Sequence, residues 1–165
     1  MAVTGWPRKL RWDQFRKLDS RPHGHSTDAH TEAQWMNPPG KKFKLVRDRR
    51  AWRLDNVNLV LTLVNQETWV VKGKESDELL KHEQGHWDIA GLLVREYHRQ
   101  LVALRARTPA KLTELFKNTE KRAKTRLSQV NKQYEDDTKH GTDSTQQKKW
   151  NELITKSKTG RGKLP

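Results

Sequence analysis

The residues best suited to chemistry in this chain are His82, Glu83 and His86, which form the pattern His-Glu-x-x-His. Positions four apart on a helix share a face, so His82 and His86 can direct ring nitrogens at one metal ion. Zinc accepts imidazole ligands, and Glu83 lies where a general base for a zinc-activated water is needed. The plainer interpretation is a helix with two solvated histidines. A catalytic zinc takes three protein ligands, so the pattern predicts a third ligand elsewhere in the chain.

The segment around this pattern is predicted to be a long helix that begins after Ser76. Ser76 is a suitable N-cap, and Asp77 and Glu78 favour the positive end of the helix dipole. Apolar residues follow at helical spacing as far as about Arg107. This helix must hold the two histidines.

Thr108 and Pro109 mark a break, with Thr108 as the N-cap of a second helix and Pro109 at its first position. About 24 helical residues after Pro109 span roughly 36 Å, close to the length from His86 to Arg107. We therefore expect the second helix to return antiparallel to the first. That return would bring Tyr134 and the residues after it beside the His-Glu-x-x-His pattern.

The third ligand is expected in the segment that follows Tyr134. His140 is the first choice, and the carboxylate alternatives are Glu135, Asp136 and Asp137. Gly141 would let the backbone turn tightly beside the metal. On the first helix, Glu96 shares a face with His82 but lies about 21 Å away, so it is excluded.

Tyr134 has two interpretations. Its hydroxyl could hydrogen-bond a developing oxyanion opposite Glu83, which would make it a catalytic residue. Alternatively, its ring ends the apolar stripe of the second helix.

The part of the chain before the helices predicts a small, mostly antiparallel sheet. The clearest strand spans 57–63, where apolar residues alternate, and further strands are expected at 28–36, 42–50 and 69–71. A short last helix is expected from about 144 to 155. The predicted fold class is therefore α+β, a small N-terminal sheet followed by two long helices and a short C-terminal helix. Residues 1–154 would form one domain and 155–165 a basic flexible tail.

Composition narrows the choices. A chain of 165 residues fits one domain, and the absence of cysteine excludes disulfides and thiolate metal ligands. No apolar run approaches the roughly 18 residues of a membrane helix, and residues 1–10 lack the apolar segment of a signal peptide. The net charge of +14 favours an acidic partner, such as nucleic acid, an anionic surface or an acidic peptide. The plainer explanation of that charge is solvated basic helix faces.

Three blocks of sequence resemble a known family. They are Leu10-x-Trp12-Asp13-x-Phe15, the block Leu79 to Ala90 around the histidines, and Tyr134-x-x-x-Thr138-x-His140-Gly141 with Gln147-x-x-Trp150. Together they are similar to the bacterial secreted zinc-dependent proteases, a family also catalogued as a domain of unknown function. The resemblance implies an exported, zincin-like metallopeptidase in which His82 and His86 bind Zn²⁺ and Glu83 is the acid/base. That family usually has Asp where this chain has Glu135.

The leading hypothesis is thus a zinc-dependent endopeptidase acting on a peptide or protein substrate. A strand edge at 57–64 or 68–71 would hold the substrate extended by main-chain pairing. Two alternatives stay open at this point: a basic helical nucleic-acid-binding protein with incidental histidines, and a zinc-binding scaffold without turnover.

Overall fold

The computed structural model describes residues 3–165, and its element order confirms the α+β class. Short strands come first, followed by the helices α1 (Asp77–Ala103), α2 (Pro109–Thr138) and α3 (Ser144–Lys158). The strands are β1 (Val3–Thr4), β2 (Arg16–Leu18), β3 (Ala29–His30), β4 (Ala33–Met36), β5 (Lys44–Asp48), β6 (Ala51–Asp55), β7 (Leu59–Leu63) and β8 (Trp69–Val71).

The strands form three small sheets, where a single sheet was expected. β7 pairs with β1 in parallel and with β4 antiparallel, and β8 pairs with β2 in parallel and with β3 antiparallel. β5 and β6 form an antiparallel hairpin. Both edges expected to hold a substrate, 57–64 and 68–71, therefore belong to central strands. That prediction is wrong, and the edge strands of the first sheet are β1 and β4.

The strand predicted over 28–36 breaks between β3 and β4 because Glu32 bonds outside both strands. Its carbonyl accepts from the amide of Val64 at 2.9 Å, and the Thr68 hydroxyl contacts its amide and carbonyl at 3.2 Å each. These bonds direct β3 and β4 into different sheets. The strand predicted over 42–50 is also shorter, since the chain turns at Arg49, where φ is 53°, and returns as β6.

The helix starts agree with the sequence predictions. Ser76 accepts a hydrogen bond from the amide of Leu79 at 3.1 Å, and Thr108 accepts one from the amide of Lys111 at 3.2 Å. The end of α1 comes earlier than the predicted Arg107. Ala106 exchanges two backbone hydrogen bonds with Trp52, at 2.7 and 3.0 Å, and this bridge takes the chain out of the helix.

α1 is the central element of the molecule, buried on both sides. One apolar cluster joins it to the sheets through residues such as Leu61, Val70 and Trp87, and a second joins it to α2 and α3. Each fully buried large side chain contributes about 1.5–3 kcal/mol, so α1 is held rigidly. α3 runs four residues past the boundary predicted at 154. None of the helices in residues 3–165 is long and apolar enough to cross a membrane.

Candidate metal centre

Three side chains converge where α1 and α2 pack together. His82 and His86 are 1% and 8% exposed, and their Nε2 atoms lie 3.3 Å apart. Glu135 on α2 places Oε1 3.0 Å from Nε2 of His86 and Oε2 3.3 Å from Nε2 of His82. All three ligand atoms lie within 4.8 Å of one another. The antiparallel return of α2, predicted from helix lengths, is thereby confirmed.

Amide oxygens fix where each imidazole carries its proton. Nδ1 of His82 lies 3.0 Å from Oε1 of Gln147, and Nδ1 of His86 lies 3.0 Å from Oδ1 of Asn131. A carboxamide oxygen can only accept, so each Nδ1 is the donor. In the neutral tautomer, both Nε2 atoms then present a lone pair to the space they share with Glu135.

The orientation of the Gln147 amide follows from its other contacts. Its Nε2 donates to Oδ1 of Asn151 at 3.0 Å and to the hydroxyl of Tyr134 at 2.7 Å. The Tyr134 hydroxyl in turn donates to the backbone carbonyl of His82 at 3.0 Å. Exchanging the amide oxygen and nitrogen of Gln147 would place two acceptors together at Asn151. With the amides as assigned, every donor in this chain of hydrogen bonds meets an acceptor.

Two facing lone pairs beside a carboxylate require a cation. The protonation behaviour agrees: burial by itself would lower the pKa of His86, but the Glu135 hydrogen bond and the charges of Glu83 and Glu135 raise it overall. Burial would raise the pKa of Glu135, yet hydrogen bonds with both histidines hold it well below its usual range. A proton supplies the positive charge when no metal is bound, and a metal ion can replace it.

The donor set and its spacing fit zinc. Two imidazoles and one carboxylate form a ligand set that catalytic zinc sites use, with the fourth position open. Two nitrogens bound tetrahedrally at about 2.05 Å from a zinc ion would be about 3.3 Å apart. The two Nε2 atoms are 3.3 Å apart. The three residues could therefore hold a metal ion, and their spacing is compatible with zinc.

Glu83 is buried beside the three donors. It is 2% exposed, and its Oε2 atom has no hydrogen-bond partner among the described residues. Its negative charge contributes to raising the pKa of both His86 and Tyr134, which places it in the same electrostatic environment. A buried carboxylate oxygen without a partner is costly. This oxygen is therefore a candidate proton acceptor beside the three donors.

His140, the first choice for the third ligand, is not one of the converging donors. α2 continues to Thr138, so Glu135 faces the histidines while His140 lies two residues past the helix end in a left-handed conformation. The His140 side chain is 49% exposed, and its Nδ1 lies 2.7 Å from Oε2 of Glu135. The donors that the structure brings together are therefore His82, His86 and Glu135, one of the carboxylate alternatives. His140 contacts the Glu135 carboxylate, and its role as a ligand stays a prediction.

The other carboxylate alternatives face away from the histidines. Asp136 pairs with Lys132 on the exposed side of α2, and Asp137 accepts a hydrogen bond from the indole of Trp150 at 3.0 Å. The expected tight turn at Gly141 is confirmed, since its φ is 81°. A Cβ at Gly141 would lie 2.9 Å from Cγ of His82, so only glycine fits against that ring.

Tyr134 packs against the rings of both histidines. It is fully buried, its ring stacks on His82 with centroids 4.8 Å apart, and its hydroxyl is engaged by Gln147 and the His82 carbonyl. Burial first, and nearby carboxylates further, raise the pKa of Tyr134 above its usual value. A Cβ at Gly85 would lie 2.1 Å from this hydroxyl. These contacts favour the structural interpretation of Tyr134, while the oxyanion role stays a prediction.

A cleft of about 520 Å³ opens from the donors between β4 and α2. One wall is the segment His30 to Trp35, and the other is the α2 face that carries Lys124, Leu127 and Asn131. His86 and Glu135 line the cleft as well. β4 contributes to this lining, and its other edge is unpaired because β4 pairs only with β7 among the described strands. An extended chain entering the cleft would lie beside an unpaired strand edge.

Sequence reasoning missed the roles of Asn131 and Gln147. Asn131 precedes Glu135 by four positions and therefore shares its helical face, a signal that was available once Glu135 was considered. Gln147 was noted only as part of a motif, and nothing in its spacing connects it to His82, 65 positions earlier.

Comparison with protein families gives one match. Residues 65–141 match the model of a family described as a bacterial protein of unknown function (DUF922). The matched segment covers slightly less than half of the chain, includes the three donors, Glu83 and His140, and stops before Gln147. No curated protein and no solved structure is a significant match. The expected similarity to a bacterial domain of unknown function is confirmed. That this domain is a zinc-dependent protease stays a prediction.

Proposed function

We propose that this protein is a zinc-dependent metallopeptidase. The observation that carries the proposal is the convergence of the two Nε2 lone pairs and the Glu135 carboxylate, with both imidazole protons committed to amide oxygens. A pair of solvated histidines would not need this arrangement, because water would satisfy both rings. Burial of His82 and His86 supports the same conclusion.

Each residue then has a distinct role. His82, His86 and Glu135 would hold Zn²⁺, and Asn131 and Gln147 keep the rings in the orientation that exposes Nε2. Zinc, when bound, supplies a Lewis acid that polarises the scissile carbonyl and lowers the pKa of water. Glu83 accepts the proton of the attacking water at its unpartnered Oε2 and delivers it to the leaving amine nitrogen.

The cleft supports a peptide as the substrate. An extended peptide could pair with the outer edge of β4 through its main chain, which gives affinity without requiring a particular sequence. The cleft between β4 and α2 leads along that edge to His86 and Glu135. β4 therefore replaces the strand edges that the sequence had favoured.

The decisive experiment compares Glu83→Gln with Glu78→Gln, a control on the exposed first turn of α1. Zinc content is measured on the purified proteins, and hydrolysis is measured with a library of fluorogenic peptides. We expect one zinc per chain in both variants. Activity should fall at least about a hundredfold in Glu83→Gln alone, because its base is lost.

The outcomes separate the hypotheses. Peptide hydrolysis that survives Glu83→Gln intact would contradict the mechanism. Stoichiometric zinc in a wild-type protein that cleaves no peptide of the library would favour the zinc-binding scaffold. Failure to bind zinc at all would exclude both and leave the histidines without a metal function.

A further inference from the structure

A second polar pocket lies toward the other end of α1, and it is called the basic pocket here. It is a cavity of about 420 Å³ whose lining includes Arg95, Arg99, Arg126, Ser157 and Lys163. Along the axis of α1, Arg95 and Arg99 lie about 14 Å and 20 Å from His86, so this pocket is separate from the candidate metal centre.

The positive charges of the basic pocket are not neutralised by the protein. Its four cationic side chains face one carboxylate, Glu96, whose Oε1 accepts a hydrogen bond from Gln100. Within residues 3–165, none of the four cations makes an ion pair with a carboxylate. The pKa of Arg95 is lowered, first by burial and further by the charge of Arg99. Two guanidinium groups are therefore held together without a counter-charge.

Part of this arrangement has a structural purpose. The guanidinium of Arg95 donates to the carbonyls of Ser157 and Lys158, at 2.8 and 3.2 Å, at the end of α3. Arg126 donates to the carbonyl of Leu164 at 3.1 Å. These bonds fix the last turn of α3 and the segment after it. These bonds would fully explain the cationic residues of the pocket if every buried donor there had a hydrogen-bond partner.

Two buried donors are not used. Ser157 is 4% exposed, and its hydroxyl has no hydrogen-bond partner among the described residues. The Nε of Arg95 is also buried without one. Packing of the C-terminal segment does not account for these groups, nor for the charges of Arg99 and Lys163. Unpaired donors and unneutralised cations both favour an anion with several acceptor oxygens.

We propose that the basic pocket binds a phosphate group. Arginine presents donors in a planar fork that matches the oxygens of a phosphate, and a serine hydroxyl can donate to a further oxygen. Arg99 and Lys163 supply the charge that the structural hydrogen bonds leave free. The group can belong to a free phosphate or to a phosphate-bearing lipid headgroup, which offer the same chemistry.

The test uses amide chemical shifts of the ¹⁵N-labelled full chain during titration with inorganic phosphate at low salt. Saturable shifts should concentrate at residues 95–99 and 157–163. The double variant Arg99→Gln/Lys163→Gln should weaken binding about tenfold or more, because it removes two charged donors. Arg107→Gln/Lys121→Gln is the matched control, since it removes the same charge from exposed positions outside the pocket.

A second arm identifies the source of the phosphate. The same proteins are sedimented with phosphatidylcholine vesicles that either contain or lack phosphatidic acid. Binding to the acidic vesicles alone, lost in the pocket variant and kept in the control, supports a headgroup. Binding of free phosphate that is lost in the same way supports a soluble ligand. The proposal is overturned if neither probe binds, if both double variants weaken binding equally, or if shifts spread over the whole basic surface.

Discussion

The candidate metal centre and the basic pocket both involve residues of α1, but they differ in how their charged and polar groups are buried and paired. At the centre, His82 and His86 are almost fully buried, and amide oxygens set the proton on each ring. In the basic pocket, Arg99 and Lys163 are exposed and form no ion pair with a carboxylate of residues 3–165. The side chains of the candidate metal centre are therefore held in one orientation, whereas the exposed cations of the basic pocket are not.

This difference has energetic consequences. Removing any one donor from a buried, fully oriented set leaves its partners desolvated and unpaired, so each donor is indispensable. Exposed cations each contribute a smaller and partly independent amount to the binding free energy, because water screens their charges. Single substitutions should therefore have large effects at the centre and modest ones in the pocket.

The largest expected effect is the loss of Glu135. Glu135→Ala removes a proposed ligand and should lower zinc affinity by more than about a hundredfold. This is more than the usual loss when a residue that hydrogen-bonds to a metal ligand is removed. His140→Ala removes only the group that holds Glu135 from outside, and should cost about tenfold. Zinc affinity is measured by competition with a chromogenic chelator.

The reverse order of these two variants would show that His140, not Glu135, is the third ligand. Arg99→Gln serves as the control, because it changes the charge of the chain without approaching the candidate metal centre. It should leave zinc affinity unchanged.

Much of this site could be predicted from local sequence signals. The spacing of His82 and His86 required a helix, Ser76 gave its start, and Pro109 with the helix lengths gave the return of α2. The choice between Glu135 and His140 could not be made in the same way. It depends on where α2 ends, and that end is made by left-handed conformations at Lys139 and His140, which few non-glycine residues adopt.

The sheet edges were unpredictable for a different reason. β7 and β8 had clear apolar patterns, yet the strands that cover their outer sides, β1 and β2, are two and three residues long. Segments this short carry no periodicity. The hairpin of β5 and β6 was only half predicted, since the strand expected over 42–50 contains β5 whereas β6 was not predicted. Pairings made through the backbone leave little trace in side-chain patterns.

A smaller effect is expected from the amide that orients His82. Gln147→Met keeps the side-chain volume and removes the oxygen that accepts the Nδ1 proton. Outer partners of metal-binding histidines are worth about 10–100-fold in metal affinity, and we expect a loss in this range. Gln133→Met, on the exposed face of α2, is the control. Equal zinc affinities in the two variants would show that the amide does not orient the ring.

Tyr134→Phe tests whether the tyrosine is a support or a catalytic group. The change removes the hydroxyl that joins Gln147 to the His82 carbonyl, and should lower the free energy of unfolding by about 1–2 kcal/mol. Peptide hydrolysis by the folded variant should change little. If the hydroxyl is an oxyanion donor, the substitution should instead lower kcat by about a hundredfold or more. Such a fall in kcat would support the catalytic role of Tyr134. Urea denaturation and steady-state kinetics measure the two effects separately.

The smallest effect is the pH dependence of stability in protein stripped of metal. The pKa of His86 is raised from its ordinary 6.5, so protonated His86 contributes stability below pH 6.5 that is lost as pH rises through the folded value. The pKa of Glu135 is lowered from 4.5, so its contribution is present above pH 4.5 and lost as pH falls further.

The pair therefore stabilises the metal-free fold most between pH 4.5 and 6.5, and the melting temperature should fall above that window. Zinc replaces the proton, so the rise in melting temperature on adding zinc should grow as pH increases. His86→Gln should flatten both trends, while His23→Gln in an exposed loop should preserve them. A metal-free melting temperature that rises through neutral pH would mean that the facing nitrogens do not share a proton. The electrostatic contrast between the candidate metal centre and the basic pocket would then lose its basis.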